Sequence, residues 1–164
     1  MRKLIRTAGL GLVFALFLIV GNQKNTFAHC EVPCGIYADS VRVVLMSEHI
    51  TTIEKSMKKI VVLSAEENVN YNQLVRWVNN KEEHAKKLQE IATQYFMFQR
   101  VKLTDDAEKM KKNQKLLAKL HEICVYAMKA KQTTDLNVIK KLNNSVHDFS
   151  HLYFGPGKHH HHHH

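Results

Sequence analysis

The sequence has little proline and glycine, and this scarcity limits the architectures that it can adopt. Of its 164 residues only Pro33 and Pro156 are prolines, so nothing between Tyr37 and Phe154 forbids long helices. The six glycines are scattered over the first 28 residues, position 35 and the C-terminal tail, which excludes a glycine-rich loop for binding phosphate. The chain also has no internal repeat, and no Ser/His/Asp arrangement stands out from spacing alone.

A long hydrophobic run is missing too, and the short run that is present predicts export rather than a membrane span. Residues 1–28 begin with Arg2, Lys3 and Arg6, continue with an apolar run over 10–20 and end in small residues. A membrane-spanning helix needs about 20 apolar residues. We therefore interpret residues 1–28 as a leader that a signal peptidase removes after Ala28, with an uncleaved membrane anchor as the alternative. The mature protein would be exported to a periplasm, an organelle lumen or the medium, with no membrane attachment.

The remainder of the chain suits one small domain. Residues 159–164 are six consecutive histidines, which have the composition of a purification tag, so the domain covers residues 29–158. Without the leader, 20 basic residues stand against 15 acidic ones, a net charge of +5. This modest excess attracts small anions, but no dense basic stripe with interleaved aromatic residues predicts a nucleic-acid partner.

Apolar residues recur at steps of three and four through four segments, which is the period of amphipathic helices. The segments cover about residues 39–63, 65–102, a stretch that follows Thr104 and Asp105, and 134–153. Ser64 followed by Glu67 has the form of a capping box and would start the second segment. Short polar links between the stripes predict an all-α fold, an antiparallel up-and-down four-helix bundle. The positions predicted to face the core are Val43, Met46, Ile50, Ile53, Met57, Ile60, Tyr71, Leu74, Val78, Ala85, Leu88, Ala92, Tyr95, Met110, Leu117, Leu120, Cys124, Ala127, Ile139, Leu142, Val146, Phe149 and Tyr153.

Two polar side chains, Lys81 and His84, lie on or beside the apolar stripe of the second segment. The simpler interpretation is that Lys81 extends out of the seam to solvent and that His84 lies at the edge of the stripe. The alternative is that both support a polar site. The same segment carries Trp77, Ile91 and Phe98 on a wide apolar face, which fits either additional protein partners or a fully buried helix.

The stretch HCEVPCGIY, residues 29–37, concentrates metal-ligating groups directly after the predicted cleavage site. Removal of the leader would make His29 the amino terminus, so this residue would offer both an α-amine and an imidazole. Cys30 adds a thiolate and a backbone nitrogen, and Cys34 adds a second thiolate. Two nitrogens and two sulfurs in a plane suit a d⁸ ion such as Ni(II), whereas zinc prefers tetrahedral sites.

The cysteines also allow another interpretation. In an exported protein, Cys30 and Cys34 would form a disulfide and Cys124 would be a buried free thiol. The chain would then be a helical binding or structural protein. A thiol oxidoreductase is disfavoured, because the usual CxxC spacing and its βαβ context are absent from the sequence.

The nonapeptide resembles the N-terminal metal hook of the nickel superoxide dismutase family, whose pattern is His-Cys-x-x-Pro-Cys-Gly-x-Tyr. Every fixed position is matched, and the stretches KEEHA (81–85) and QYF (94–96) are also similar to family members. The resemblance implies a four-helix bundle, one nickel ion per subunit and a homohexamer. It also implies conversion of superoxide to O₂ and H₂O₂ by Ni(II)/Ni(III) cycling.

The resemblance further implies a role for each residue of the hook. The amine of His29, the backbone nitrogen of Cys30 and the sulfurs of Cys30 and Cys34 would form a square base around nickel. The imidazole of His29 would be an axial ligand in the oxidised state, and Tyr37 would stand over the open face. Tyr95 is a candidate for a second phenol. Some family members hold the histidine with a carboxylate from the first helix and an arginine from the second, and no such pair is identified from this sequence.

Overall fold

The computed structural model describes residues 38–155, and this part of the chain is built from four helices. They are α1 (Asp39–Ser64), α2 (Tyr71–Glu90), α3 (Ala107–Gln132) and α4 (Leu136–Phe154), and α2 continues directly into π-helical turns over Ile91–Arg100. No strand occurs within 38–155, so the predicted all-α class is confirmed. The predicted leader, the nonapeptide at 29–37 and the histidine run lie outside the described residues.

Short polar side chains fix the starts of three helices. Asn70 accepts a hydrogen bond from the backbone nitrogen of Gln73 at 3.1 Å, and Asp106 and Asp135 satisfy the first turns of α3 and α4 in the same way. The predicted capping box at Ser64 is wrong. Ser64 is the last residue of α1, and its hydroxyl donates to the carbonyl of Ile60 at 2.6 Å, so it is not available to cap α2.

Helices that follow each other in the chain are neighbours in the bundle. Helix α1 packs mainly against α2 and α3 mainly against α4, while contacts of α2 with α3 and of α1 with α4 join the two pairs. The first pair also meets through polar contacts of Asp39 with Arg100, His49 with His84, and Ser56 with Asn80.

One apolar core lies between the helices. Its largest fully buried side chains are Phe96, Phe149, Met46, Ile50, Ile53, Met57, Leu88, Leu120, Ile123 and Leu142. Burying each of these contributes about 1.5–3 kcal/mol relative to leaving it exposed, before the entropy cost of ordering is counted. At one end of the core Phe96 forms edge-to-face contacts with Tyr95, Phe149 and Tyr153, with ring centroids 5.0, 4.8 and 5.3 Å apart.

The predicted core positions are confirmed along α4 and, apart from Ile60, along α1, but not throughout α2 and α3. Met110 and Leu117 are exposed, and Leu116 and Ile123 are buried in α3 instead. Leu120 and Ala127 are buried as predicted, whereas at the neighbouring leucines 116 and 117 the pattern allows either one and the fold buries Leu116. Tyr71 is exposed because it is the first residue of α2.

Phe98 is also exposed, so the second helix is not buried on all sides. It lies within the π-helical turns, where more residues are needed per turn, and a stripe extrapolated with the α-helical period loses its phase there. The helices between residues 38 and 155 include none that is long and apolar enough to cross a membrane.

Candidate metal centre

The described structure fixes the point where the nonapeptide joins the bundle. His29, Cys30, Cys34 and Tyr37 lie outside the described residues, and α1 begins at Asp39, two positions after Tyr37. A chain extends at most about 3.6 Å per residue, so Cys34 lies within about 18 Å of Asp39. Side chains around the start of α1 are therefore the described groups that stand nearest to the candidate ligands in the sequence.

The carboxylate of Asp39 joins three helical segments at this point. Its Oδ1 accepts hydrogen bonds from the Tyr95 hydroxyl at 2.5 Å and from Arg100 Nε at 2.8 Å. Its Oδ2 accepts a hydrogen bond from the Tyr153 hydroxyl at 2.7 Å. We call Asp39, Tyr95, Arg100 and Tyr153 the Asp39 cluster. Since Asp39 lies in the first turn of α1, the positive end of the helix dipole also favours its charge.

The π-helical turns bring Tyr95 and Arg100 to the same side of the second helix. In an α-helix, residues five positions apart point about 140° away from each other. Here the backbone nitrogen of Val101 donates to the carbonyl of Phe96, five positions back, at 3.1 Å. In this wider winding Arg100 Nη2 donates to the Tyr95 hydroxyl at 2.7 Å while its Nε reaches Asp39.

Hydrogen bonding keeps the cluster in a defined protonation state. Burial alone would raise the pKa of Asp39, but hydrogen bonds from Tyr95, Tyr153 and Arg100 together lower it below its usual value. Burial first, and then the hydrogen bond to Asp39, raise the pKa of Tyr95 and of Tyr153. At neutral pH the cluster therefore contains one carboxylate, two neutral phenols and one guanidinium.

A second guanidinium, that of Arg42, also lies beside the Tyr95 ring. The guanidinium carbons of Arg42 and Arg100 lie 5.4 and 4.6 Å from the centre of the Tyr95 ring, within the range of cation–π contacts. Two positive charges thus accompany the single negative charge of Asp39. Such a surface attracts small anions.

The structure places the two other candidates on the second helix away from the Asp39 cluster. Lys81 and His84 precede Tyr95 by about three or four helical turns. Lys81 is only 5% exposed, so the interpretation that it extends to solvent is wrong. Its ammonium group donates to the backbone carbonyls of Lys131 and Thr133, because carbonyls at the end of α3 lack partners within their own helix. Burial lowers the pKa of Lys81.

His84 is half-buried and contacts His49 of α1, with their Nδ1 atoms 3.0 Å apart. The third cysteine, Cys124, is a free thiol packed against the core, as expected, although it is only partly buried. Burial raises its pKa. The structure thus brings Tyr95 to the start of α1 and does not bring Lys81, His84 or Cys124 there.

Asp39 and Arg100 were not predicted as site residues, and Tyr153 was predicted only as a core position. No motif marks them, since an acidic residue in a first turn and a basic residue in a last turn are ordinary helix-end chemistry. Only the positions of these residues in the sequence could have identified them. Asp39 directly follows the nonapeptide, and the two tyrosines end helical stripes that converge on the same end of the core.

Residues 38–155 contain no group of three or more His, Cys, Asp or Glu side chains that could hold a metal ion. The donors at 29–37 are two thiols, an imidazole and, after processing, an amine, and sulfur and nitrogen donors of this kind suit nickel. A small helical domain that follows such a donor-rich segment belongs to the class of all-α metalloproteins.

The particular family is given by comparison with family models. Residues 24–156 match the family described as nickel-containing superoxide dismutase, and the chain belongs to this family. It is therefore an oxidoreductase that acts on superoxide and uses nickel as its cofactor. Neither the curated proteins nor the solved structures gave a match.

Proposed function

We propose that residues 29–37 are the nickel-binding hook of this superoxide dismutase and that it forms only after cleavage behind Ala28. His29 would provide its terminal amine and imidazole, Cys30 its backbone nitrogen and sulfur, and Cys34 the second sulfur. The donor set of the nonapeptide and its position next to the Asp39 cluster support this assignment. Bound nickel supplies a one-electron couple that lets one superoxide be oxidised to O₂ and another be reduced to H₂O₂.

The Asp39 cluster fixes the base of the hook. Asp39 belongs to the first helix and Arg100 to the second, so they offer a carboxylate and an arginine of the kind that family members use beside the hook. Hydrogen bonds to a charged group contribute about 1.5–3 kcal/mol each, more than neutral ones. Because Asp39 is held by three donors on two other helical segments, Ala38, the one residue between it and Tyr37, joins the bundle at a firmly held point.

Tyrosine and arginine side chains near the proposed hook favour the approach of a small anion. Tyr37 stands over the open face of the hook, and Tyr95 stays protonated under the combined effect of burial and Asp39. Arg42 and Arg100, which flank the Tyr95 ring, raise the local concentration of superoxide. These residues orient water and attract substrate, while Lys81 and His84 act further from the hook.

The mature protein is an exported homohexamer of antiparallel up-and-down four-helix bundles with one nickel ion per subunit, and residues 159–164 take no part in it. The antiparallel arrangement is supported by the order of contacts between α1 and α2, in which later positions of α1 meet earlier positions of α2. Association is supported by exposed apolar side chains, among them Val61, Val62, Val75 and Phe98. The leader implies a signal peptidase as a processing partner.

A one-residue extension tests the hook directly. A tag-free chain that begins at His29 should bind one nickel ion and dismutate superoxide, whereas the same chain with one glycine added before His29 should bind nickel poorly and be inactive, because the terminal amine becomes an amide. The matched control carries the added glycine at the C-terminus and should remain active. Nickel content by elemental analysis and superoxide decay by stopped-flow absorbance are the measurements.

The disulfide interpretation predicts different results. A metal-free chain lighter by two hydrogen atoms, with Cys30 linked to Cys34, would support a structural role for the nonapeptide. Full dismutase activity in the chain with the N-terminal glycine would contradict the proposed role of the amine of His29.

A further inference from the structure

A second candidate metal site lies between α1 and α2. His49 of α1 and His84 of α2 face each other with their Nδ1 atoms 3.0 Å apart and their ring centres 5.0 Å apart at an angle of 73°. Both side chains are half-buried, so water and hydrated ions reach them. We propose that this His49–His84 pair binds a divalent first-row transition metal ion through the two Nδ1 atoms, and that the ion links α1 to α2.

The distance between the nitrogens fits two ligands of one ion. Two imidazole nitrogens bound to zinc at about 2.05 Å lie about 3.3 Å apart in a tetrahedron and about 2.9 Å apart at a right angle. The observed 3.0 Å falls between these values. Residues 38–155 hold no group of three or more ligating side chains, so water would fill the remaining positions around the ion.

The protonation state of the pair also favours an ion. Burial, the neighbouring imidazole and Lys87 lower the pKa of His49, while burial and Lys87 lower the pKa of His84. Both rings are thus neutral at pH 7. Without metal, the Nδ1–H of one ring donates to the Nδ1 of the other. With metal, both protons reside on the Nε2 atoms, so binding requires a tautomer change of one ring but no net release of protons.

Charged residues around the His49–His84 pair should change its affinity for a metal ion in predictable directions. Lys87 weakens the attraction for a cation, but it forms an ion pair with Glu83 at 2.6 Å. Glu83 and Glu48 act in the opposite sense, since each of them raises the pKa of the adjacent histidine. Removing the charge of Lys87 should therefore tighten binding, and removing the charge of Glu83 should weaken it.

The second histidine pair in the described part of the chain provides a contrast. His147 and His151 lie one turn apart on α4 with Nε2 atoms 3.0 Å apart. An ion held there would touch one helix only and would not link two helices. The His49–His84 pair joins two helices, so its ion should stabilise the tertiary structure.

Zinc binding tests the proposal independently of dismutase activity. The reference protein is the tag-free domain with Cys30→Ser, Cys34→Ser and His147→Gln, so that neither the hook nor the pair on α4 competes for the ion. Zn²⁺ alone should shift the side-chain ¹⁵N resonances of His49 and His84 at Nδ1. When free Zn²⁺ is ten times its dissociation constant, the folding equilibrium constant should rise about elevenfold.

Variants of the reference protein decide the assignment. His49→Gln and His84→Gln should each abolish the zinc-dependent stabilisation, whereas His121→Gln, an exposed position on α3, should keep it. Lys87→Gln should lower the zinc dissociation constant by threefold or more, and Glu83→Gln should raise it. Equal stabilisation of His84→Gln and the reference would overturn the proposal. If neither glutamine variant folds, the ¹⁵N resonances of His49 and His84 in the reference protein test the proposal instead. The absence of any shift of these resonances in millimolar Zn²⁺ would also overturn the proposal.

Discussion

Replacing Asp39 by asparagine should destabilise the whole bundle, although the substitution changes only one atom. The carboxylate accepts three hydrogen bonds, of which one is also an ion pair with Arg100. Asparagine keeps one acceptor oxygen but places a donor where the second oxygen was, opposite a hydroxyl or a guanidinium. The charge is lost, and at least one hydrogen bond with it.

The expected loss follows from these contacts. Hydrogen bonds to a charged group contribute about 1.5–3 kcal/mol each, and the Asp39 side chain is 29% exposed, so water offsets part of the loss. We expect Asp39→Asn to lower the free energy of unfolding by about 2–3 kcal/mol at pH 7. At about 4 °C per kcal/mol for a domain of this size, the melting temperature should fall by about 8–12 °C.

The pH dependence separates this explanation from a general packing defect. The pKa of Asp39 in the folded protein lies below its usual value of 3.8, so its contribution is complete above that value and is lost as the pH falls through the folded-state pKa. The difference in unfolding free energy between the wild type and Asp39→Asn should therefore be constant from pH 7 to about 5 and should shrink below pH 4.

Urea unfolding followed by circular dichroism at 222 nm measures this difference. Asp105→Asn is the matched control, because Asp105 is exposed in the link before α3 and should change stability by less than about 0.5 kcal/mol. An Asp39→Asn protein as stable as the control, or a stability difference that persists undiminished at pH 3, would refute the role assigned to the carboxylate.

Two further substitutions test other parts of the structure. Lys81→Met should lower the free energy of unfolding by about 1–3 kcal/mol, because the carbonyls at the end of α3 lose their buried donor; a neutral result in urea unfolding would contradict the capping role. Arg42→Gln should lower kcat/KM for superoxide several-fold at low ionic strength and little at high salt, whereas Arg76→Gln, on an exposed position of α2, should change it less. Equal effects of the two arginine substitutions in stopped-flow assays would contradict local attraction of the anion.

The sequence predicted those parts of the fold that depend on local periodicity. The apolar stripes of α1 and α4 keep one phase from end to end, so Ile50, Ile53, Leu142 and Phe149 were correctly placed in the core. In α3 Leu120 and Ala127 were also correctly placed, but Leu117 was chosen where Leu116 is buried, because both leucines satisfy the pattern and only the neighbouring helices select between them.

The periodicity of apolar residues does not predict polar contacts between helices. Lys81 is buried because its ammonium group binds carbonyls at the end of α3, about 50 positions later in the chain. No residue near Lys81 in the sequence predicts this contact. Competition between local signals explains the misplaced cap as well. Ser64 fits a capping box, yet its hydroxyl bonds back to Ile60 and Asn70 caps α2.

The π-helical turns connect the local winding of the second helix to the polar contacts between helices. Had Ile91–Arg100 continued as an α-helix, Arg100 would point about 140° away from Tyr95, and Asp39 would bind one of them without the other. The wider winding costs helix regularity but gains a carboxylate with three donors, and Tyr153 adds α4 to the same point. The nonapeptide at 29–37 leads in the sequence to the first turn of α1, so the contacts of Asp39 hold the point where it joins the bundle. The irregular turns in the second helix thereby help to hold the turn of α1 that follows the proposed nickel hook in the sequence.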